Sequence, residues 1–308
     1  MAEPLLIIEH LRVDYPGVVA VNDLCLSVEA GDIYGLIGPN GAGKTTTLRA
    51  AAGLQECTFG TVKIDGLELS NAPREVKKRL GFMPDFYPVY DRLTVIEFLD
   101  HYARAYCVPN RAQRIEECLA MVRLTDKRDA LCGELSRGMK QRLVLAKTLL
   151  PEPLVLLLDE PASGLDPLGR VELRKLLLQL QQIGKAILIS SHILTELSGS
   201  CNKAAIMERG KLVMAGSIAE LSRRLGRRSM SVKWRSGTDK ARQILLNAQL
   251  KDLQFTAQGA TFEFEGDPTA LDALLKTLVV EGVAVTEWRA IGDDLEQIFL
   301  ESGAKELM

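Results

Sequence analysis

The stretch GPNGAGKTT at residues 38–46 decides the fold expected for this chain. It matches the pattern G-x-x-x-x-G-K-[ST], in which glycines let successive backbone amides turn toward the phosphates of a nucleotide. Lys44 would add a mobile positive charge, and Thr45 would offer a hydroxyl to Mg²⁺. We expect this loop to contact nucleotide through Asn40, Gly41, Ala42, Gly43, Lys44, Thr45 and Thr46.

The segments on either side of the loop fit a strand followed by a helix. DIYGLIG at residues 32–38 is a short apolar run rich in β-formers, and residues 44–52 are good helix formers that stop at Gly53. A glycine-rich loop counts as phosphate-binding in this context, because the positive end of the new helix then faces the anion. The alternative is a glycine-rich turn with a chance lysine.

Two further apolar runs end in polar groups that would lie at the same sheet edge. LVLLLDE at residues 154–160 ends in Asp159 and Glu160, and KAILISSH at residues 185–192 ends in His192. Such continuous runs are typical of buried parallel strands, whose carboxyl ends face the ligand in open α/β sheets. We expect Asp159 to join the Mg²⁺ shell and Glu160 to polarise the attacking water. His192 would contact the γ-phosphate or that water; a solvated strand end and a structural histidine are the alternatives.

Composition fits a protein of two domains from a reducing compartment. The chain has 308 residues, 47% of them hydrophobic, which is ample for a sizeable core. A net charge of -2 creates no global field that would attract nucleic acid or an anionic bilayer. The six cysteines contain no C-x-x-C pair, and each is expected to be a reduced, buried hydrophobe. We expect neither a signal peptide nor a membrane-spanning segment, because no apolar run approaches about 20 residues.

Two motifs carry a resemblance to a known family. LSRGMKQR at residues 135–142 resembles the signature sequence of ATP-binding cassette (ABC) ATPases, and SGLDP at residues 163–167 looks like that family's D-loop. The likeness covers about residues 5–220, with the motifs in the family's order. It implies that Ser136 and Gly138 approach the γ-phosphate bound by an opposite subunit, and that Tyr15 stacks on adenine. A serine and a glycine at the start of a helical run also suit a simple helix cap or an anion cradle.

Two positions depart from the family pattern. Asp85, in GFMPDF, stands where the family has a glutamine that touches both Mg²⁺ and the membrane partner. The resemblance therefore assigns Asp85 to the metal site and to coupling with that partner. Arg137 stands where the signature has glycine, and we expect its side chain to point away from the nucleotide.

Helical spacing of apolar residues predicts an insertion at about residues 86–150, within a domain of residues 1–222. At its start, Phe86, Tyr87 and Tyr90 would either line a groove for a partner's helix or belong to the core.

Residues 223–308 would form a second, accessory domain. The basic run at residues 223–228 is a linker candidate that either faces solvent or contacts lipid headgroups. After it, the pattern predicts strand, helix, strand, strand, helix, strand and a last helix at DLEQIFLES. This order is typical of a small ferredoxin-like α+β domain.

The expected fold is thus α/β: a P-loop NTPase core of the ABC type, with a β-rich N-terminal part and a helical insertion, followed by the small α+β domain. The resemblance implies a subunit of the drug-exporter-like branch that binds ATP and Mg²⁺ and hydrolyses ATP. It would act as a homodimer on separately encoded transmembrane permease subunits, at the cytoplasmic face of the cell membrane and without nucleic acid. The alternatives are an ABC protein acting on DNA or ribosomes, a GTP switch protein and an inactive binding subunit.

Overall fold

The computed structural model describes residues 4–85, 88–192, 199–218, 220–221, 227–248, 250–265 and 268–290. The chain forms two compact units that divide between Ala215 and Gly216. The sequence placed the domain boundary a little later, after residue 222. Among the described residues, no helix is both long enough and apolar enough to cross a bilayer.

The first unit is built from strands and helices that alternate along most of its length. Its strands are β1 Leu6–Tyr15, β2 Val18–Val28, β3 Ile33–Ile37, β4 Phe59–Ile64, β5 Leu67–Glu68, β6 Leu80–Met83, β7 Val155–Asp159, β8 Ala186–Ser191, β9 Lys203–Glu208 and β10 Lys211–Ser217, the last of which ends just past the division. Its helices are α1 Lys44–Ala51, α2 Pro73–Arg79, α3 Val95–Ala105, α4 Arg111–Met121, α5 Arg137–Leu149 and α6 Pro167–Gln182, with short 3-10 turns at Thr125–Lys127 and Cys132–Glu134.

A six-stranded sheet of order β10-β9-β3-β8-β7-β6 carries the predicted site. The pairings from β9 through β3, β8 and β7 to β6 are parallel. Every residue of β3, β7 and β8 is buried, which explains why their sequences read as continuous apolar runs. The three predicted strands are confirmed. Because these strands are neighbours and parallel, the loops that follow them lie side by side at one edge.

A second, antiparallel sheet of order β2-β1-β4-β5 covers the helix that begins at Lys44. Helix α1 contacts β1 and β2 of this sheet and β7 of the parallel sheet. One core cluster joins all of them, with Leu11, Leu36, Leu48 and Leu157 fully buried in it. The start of α1 is therefore held by packing on both sides.

The predicted helical insertion contains α3, α4 and α5, which pack on one another. A capping box starts α3: the Glu97 amide donates to Thr94 Oγ1 over 3.3 Å, and the Thr94 amide donates to Glu97 Oε2 over 2.8 Å. Tyr90 is half exposed, and its ring centroid lies 6.0 Å from that of Phe98. Phe86 and Tyr87 lie outside the described residues, so the two interpretations of this aromatic loop stay predictions.

The second unit has the order strand, helix, strand, strand, helix, strand. Its elements are β11 Arg227–Trp234, α7 Thr238–Asn247, β12 Lys251–Thr256, β13 Gly259–Glu265, α8 Pro268–Val280 and β14 Val285–Ala290. The strands form an antiparallel sheet of order β12-β13-β11-β14 over a core that includes Trp234, Phe262 and Leu278. This order confirms the ferredoxin-like prediction. The predicted last helix, DLEQIFLES at residues 294–302, and the basic residues 223–226 lie outside the described residues.

The prediction that every cysteine is buried was wrong for two of the six. Cys118 and Cys132 are buried, and burial raises the pKa of each thiol to about 11. Cys57 and Cys201 are partly buried, whereas Cys25 and Cys107 are exposed. The exposure of Cys25 follows from its place on β2, where inward and outward residues alternate along the second half of the strand.

We predict that Leu245→Ala lowers the free energy of unfolding of the second unit by about 2–5 kcal/mol, because it empties a fully buried position of α7. The neighbouring change Leu246→Ala is the matched control. That side chain is 64% exposed, so its loss should cost less than about 0.5 kcal/mol. Urea titration followed by tryptophan fluorescence isolates this unit, because both tryptophans of the chain, Trp234 and Trp288, lie in it. Equal effects of the two substitutions would contradict the assigned core.

Candidate nucleotide-binding site

The loop between β3 and α1 has two positions, Gly38 and Gly43, where a side chain would collide with neighbouring backbone. Gly43, which caps α1, has φ +102°, and a Cβ there would lie 2.5 Å from the carbonyl oxygen of Ala20. A Cβ on Gly38 would collide with the carbonyl oxygen of Met207. The backbone at Ala20 and Met207 thus packs closely against one side of the loop. The other side of the loop faces an open cleft. This geometry fits a cradle of backbone amides for an anion at the start of a helix.

Lys44 lies folded into this loop. Its side chain is 6% exposed, and its Nζ donates to the carbonyl oxygens of Gly38 and Pro39 over 2.7 and 3.1 Å. Burial lowers the pKa of Lys44, while the charges of Glu160 and Asp159 raise it in part. The closest carboxylate oxygen recorded for Nζ, from Glu160, is 3.8 Å away. Neutral carbonyls hold most of this ammonium's hydrogen bonds, so its charge remains available to phosphate oxygens.

Asp159 is a buried carboxylate bound by two hydroxyl groups. Thr45 Oγ1 donates to Asp159 Oδ1 over 3.1 Å, and Ser190 Oγ donates to the same oxygen over 2.7 Å. Asp159 is 1% exposed, and its pKa is raised, chiefly by burial, while these two hydrogen bonds lower it in part. The negative charge of Asp85 also raises this pKa. A desolvated carboxylate beside the Thr45 hydroxyl and near Asp85 fits the oxygen ligands that Mg²⁺ prefers.

Glu160 lies between a lysine and a histidine. His192 Nδ1 is 2.7 Å from Glu160 Oε2, and Lys44 Nζ is 3.8 Å from Glu160 Oε1. The Glu160 side chain is 11% exposed, and its amide donates to Ser190 Oγ over 3.0 Å. Its φ of +48° is a left-handed conformation that costs a non-glycine residue about 1–3 kcal/mol. The surroundings therefore fix both the backbone and the carboxylate of the residue predicted to be the base.

The phosphate loop, Asp85, Glu160 and His192 line one cleft of about 680 Å³. Ten of the predicted site residues line it: Asn40, Gly41, Ala42, Gly43, Lys44, Thr45, Thr46, Asp85, Glu160 and His192. Sequence reasoning missed six further lining residues: Val18, Val19, Ala20, Ser163, Arg209 and Gly210. Only Ser163 had a signal, since it opens the segment SGLDP; the others come from strand ends and a turn with no distinctive pattern.

Four predicted site residues are not among those that line this cleft: Tyr15, Ser136, Gly138 and Asp159, the last of which is buried behind Thr45 and Ser190. Tyr15 ends β1, is 39% exposed and donates its hydroxyl hydrogen to Gln55 Oε1 over 3.1 Å. Ser136 caps α5 by accepting a hydrogen bond from the Met139 amide over 3.2 Å. The signature residues thus stand at a helix start that is separate from the cleft of their own chain.

Arg137 points toward the segment SGLDP. A Cβ built on Gly164, which has φ +73°, would lie 2.7 Å from the Arg137 Cζ atom. The guanidinium therefore lies against the backbone of this turn. Helix α5 also contacts the chain two residues before this segment, because the side-chain amide of Gln141 donates to the carbonyl oxygen of Pro161.

The phosphate loop and the carboxylates at the end of β7 define a P-loop nucleotide-binding protein. Comparison with known protein families identifies which P-loop family this is. Residues 21–163 match the family model described as ABC transporter. The chain is 39% identical over 205 residues to the Nod factor export ATP-binding protein I of Burkholderia orbicola, covering 66% of this chain and 67% of that protein. It therefore belongs to the ABC transporter family of ATP-binding proteins.

Two other similarities agree with this assignment. An uncharacterized ABC transporter ATP-binding protein of Synechocystis is 39% identical over 210 residues, which cover 66% of this chain. The matched part spans only 58% of that relative's length. A solved ATP-binding subunit of an ABC transporter aligns with a TM-score of 0.67 at 30% identity, over 72% of this chain and 93% of that one.

We predict that Gly43→Ala weakens the binding of a fluorescent ATP analogue by more than about tenfold, which is a loss of about 1.4 kcal/mol. The new Cβ would meet the backbone oxygen of Ala20, so the loop itself must shift. Gly184→Ala is the matched control, because Gly184 also has a left-handed φ, of +80°, but has nothing within 4 Å of the new Cβ. Equal affinities of the two variants, in titrations at fixed Mg²⁺, would contradict the close packing behind the loop.

Proposed function

We propose that this chain binds ATP with Mg²⁺ and hydrolyses it as the ATP-binding subunit of an ABC transporter. The observation that carries the proposal is the arrangement around Glu160. His192 lies 2.7 Å from one of its carboxylate oxygens, and Lys44 lies 3.8 Å from the other, in the cleft that the phosphate loop lines. A carboxylate held in this way beside a phosphate cradle suits a base that activates water.

Each group in the cleft has a distinct role in this reaction. Backbone amides of the loop and the Lys44 ammonium would bind the β- and γ-phosphates. Glu160 would accept a proton from the attacking water, whose oxygen bonds to the γ-phosphorus as the bond to the bridging oxygen of ADP breaks. His192 would hold the Glu160 carboxylate in place and contact the γ-phosphate. Thr45 and Asp159, with Asp85, would hold Mg²⁺, which neutralises charge on the phosphate oxygens when bound.

The adenine base would lie on the side of the cleft that Val18 and Val19 form. These two side chains are 61% and 42% exposed, which leaves apolar surface for a flat ring. Tyr15 precedes them at the end of β1, and stacking of its ring on the base is the role that the family resemblance implies.

The working form would be a homodimer with ATP shared between subunits. Ser136 and Gly138 open α5, where a helix N-terminus favours an anion, and neither lines the cleft of its own chain. In the dimer they would approach the γ-phosphate held by the partner subunit. Contacts from both subunits to that phosphate would favour the closed state, and its release after hydrolysis would remove them.

Closure and reopening would drive separately encoded transmembrane permease subunits, with this chain on the cytoplasmic face of the membrane. Export is the proposed direction, because the similar Burkholderia protein is named for Nod factor export. The transported molecule would contact the permease instead of this chain.

We predict that Glu160→Gln lowers steady-state ATP turnover by about 10²–10⁴-fold, because an amide cannot accept the proton of the attacking water. ATP binding should persist, since the phosphate loop and Lys44 are unchanged. The variant should therefore accumulate as an ATP-bound dimer. Phosphate release measures turnover, and size-exclusion chromatography with ATP and Mg²⁺ measures the dimer. Undiminished hydrolysis would place the base elsewhere, and a persistent monomer would refute the shared site.

We predict that Asp85→Ala retains most of the basal ATPase activity of the isolated chain. Asp85 lines the cleft, but Thr45 and Asp159 would still hold the metal, and the base is untouched. The role proposed for Asp85 is to couple the site to the permease. Phosphate-release assays compare the ATPase rates of Asp85→Ala and Glu160→Gln. If both variants lose activity to the same degree, Asp85 takes part in hydrolysis itself.

A further inference from the structure

We propose that His10, Asp23 and Cys25 form a binding site for a transition-metal dication of the Zn²⁺ type. A ring nitrogen of His10, a carboxylate oxygen of Asp23 and the sulfur of Cys25 all lie within 4.8 Å of one another. The three residues lie on β1 and β2 of the first unit, and none of them lines the nucleotide cleft. The site is therefore separate from the proposed ATPase chemistry and does not depend on it.

An irregular pairing of the two strands brings these side chains together. Ile8 pairs with Leu26 and Leu11 with Leu24, so two residues of β1, Glu9 and His10, stand opposite Cys25 alone. This is a β-bulge, which redirects a side chain at the edge of regular pairing. The His10 amide donates to the Cys25 sulfur over 3.3 Å as a result.

The backbone at two of the three residues supports the same grouping. His10 has φ +51° and Asp23 has φ +58°, both left-handed conformations that are uncommon for residues other than glycine. The His10 ring Nδ1 lies 2.7 Å from Asp23 Oδ1. Two adjacent strands of a packed sheet thus hold the nitrogen and the oxygen side by side, with the sulfur as the third corner.

The chemistry of the donors selects the class of metal. A neutral imidazole, a carboxylate and a thiolate together carry a charge of about -2, which a dication neutralises. Mg²⁺ and Ca²⁺ prefer oxygen ligands, whereas thiolate and imidazole favour Zn²⁺ and its neighbours in the first transition row. On binding, the thiol proton of Cys25 would pass to solvent, and the proton that His10 shares with Asp23 would move to its other ring nitrogen.

Access and local charge also suit an ion. All three side chains are exposed, so a dication can enter directly and keep a water molecule as a fourth ligand. Basic side chains nearby are bound to other partners: Lys63 Nζ lies 2.9 Å from Glu9, and Arg12 Nε lies 3.0 Å from Asp14. Asp23 Oδ1 lies 2.7 Å from His10 Nδ1, and a metal bound between the two atoms would replace this direct contact.

Co²⁺ is the probe that tests this site in the full, reduced chain. A tetrahedral site with one thiolate should give near-ultraviolet sulfur-to-cobalt charge-transfer absorption together with visible d–d bands. We expect these bands to saturate at one Co²⁺ per chain, to disappear when Zn²⁺ is added and to persist in excess Mg²⁺. Absence of the bands, or their displacement by Mg²⁺, would overturn the proposal.

Matched variants assign the signal to these residues. Cys25→Ser should abolish the charge-transfer band, whereas Cys107→Ser, which alters the other exposed cysteine, should leave it unchanged. His10→Asn and Asp23→Asn keep a residue that tolerates the left-handed backbone, so the bulge should remain. Each should weaken Co²⁺ binding by more than about tenfold, because even the loss of an outer partner of a metal ligand typically costs that much.

A second control concerns the histidine. His101→Asn alters a histidine on α3 and should leave the Co²⁺ affinity at its original value. Circular dichroism of every variant checks that the fold is kept. A band that survives Cys25→Ser, or an affinity that both His10→Asn and His101→Asn lower equally, would show that the metal binds elsewhere. ATP binding is measured in parallel, and we expect it to be the same in all five variants.

Discussion

The hydrogen bonds that converge on Asp159 are the interactions on which the site depends. This one buried carboxylate receives the hydroxyl of Thr45 from α1 and the hydroxyl of Ser190 from β8, while its own strand is β7. Ser190 also accepts the amide hydrogen of Glu160. Hydrogen bonds thereby connect helix α1, strands β7 and β8 and the proposed base Glu160 to this one buried carboxylate. Removing either hydroxyl would leave an under-satisfied buried carboxylate, so the chain cannot change one of these positions without disturbing the others.

Parallel pairing explains how residues far apart in the sequence share this edge. β3, β8 and β7 are adjacent, and each contributes the first residues after its carboxyl end. The phosphate loop follows β3, the glutamate follows β7, and the histidine follows β8. The strands differ in sequence but share one requirement, which is burial on both faces. The proposed catalytic arrangement is thus a consequence of sheet order, and the core residues that fix this order also fix the distances in the cleft.

Elements with a strong local pattern could be predicted from the sequence, and contacts that depend on distant chain segments could not. The apolar runs that end near Gly38, Glu160 and His192 form strands, as predicted. The order of strands and helices in the second unit was also predicted. Both predictions rest on hydrophobic periodicity over a few neighbouring residues. Nothing in LSRGMK indicates that Arg137 lies against Gly164, since that contact depends on how α5 meets a turn far along the chain. The place of Cys25 beside His10 was hidden for a similar reason. It follows from a bulge, which one strand's sequence does not reveal.

The left-handed backbone at Glu160 has a consequence for how this protein can change over time. A residue that holds φ +48° without being glycine stores unfavourable energy in the folded state. Replacement by glycine would release that strain and so stabilise the cassette while destroying its proposed base. Selection for folding stability alone would therefore favour glycine and an inactive chain. A glutamate is kept in this position only where selection also acts on ATP hydrolysis.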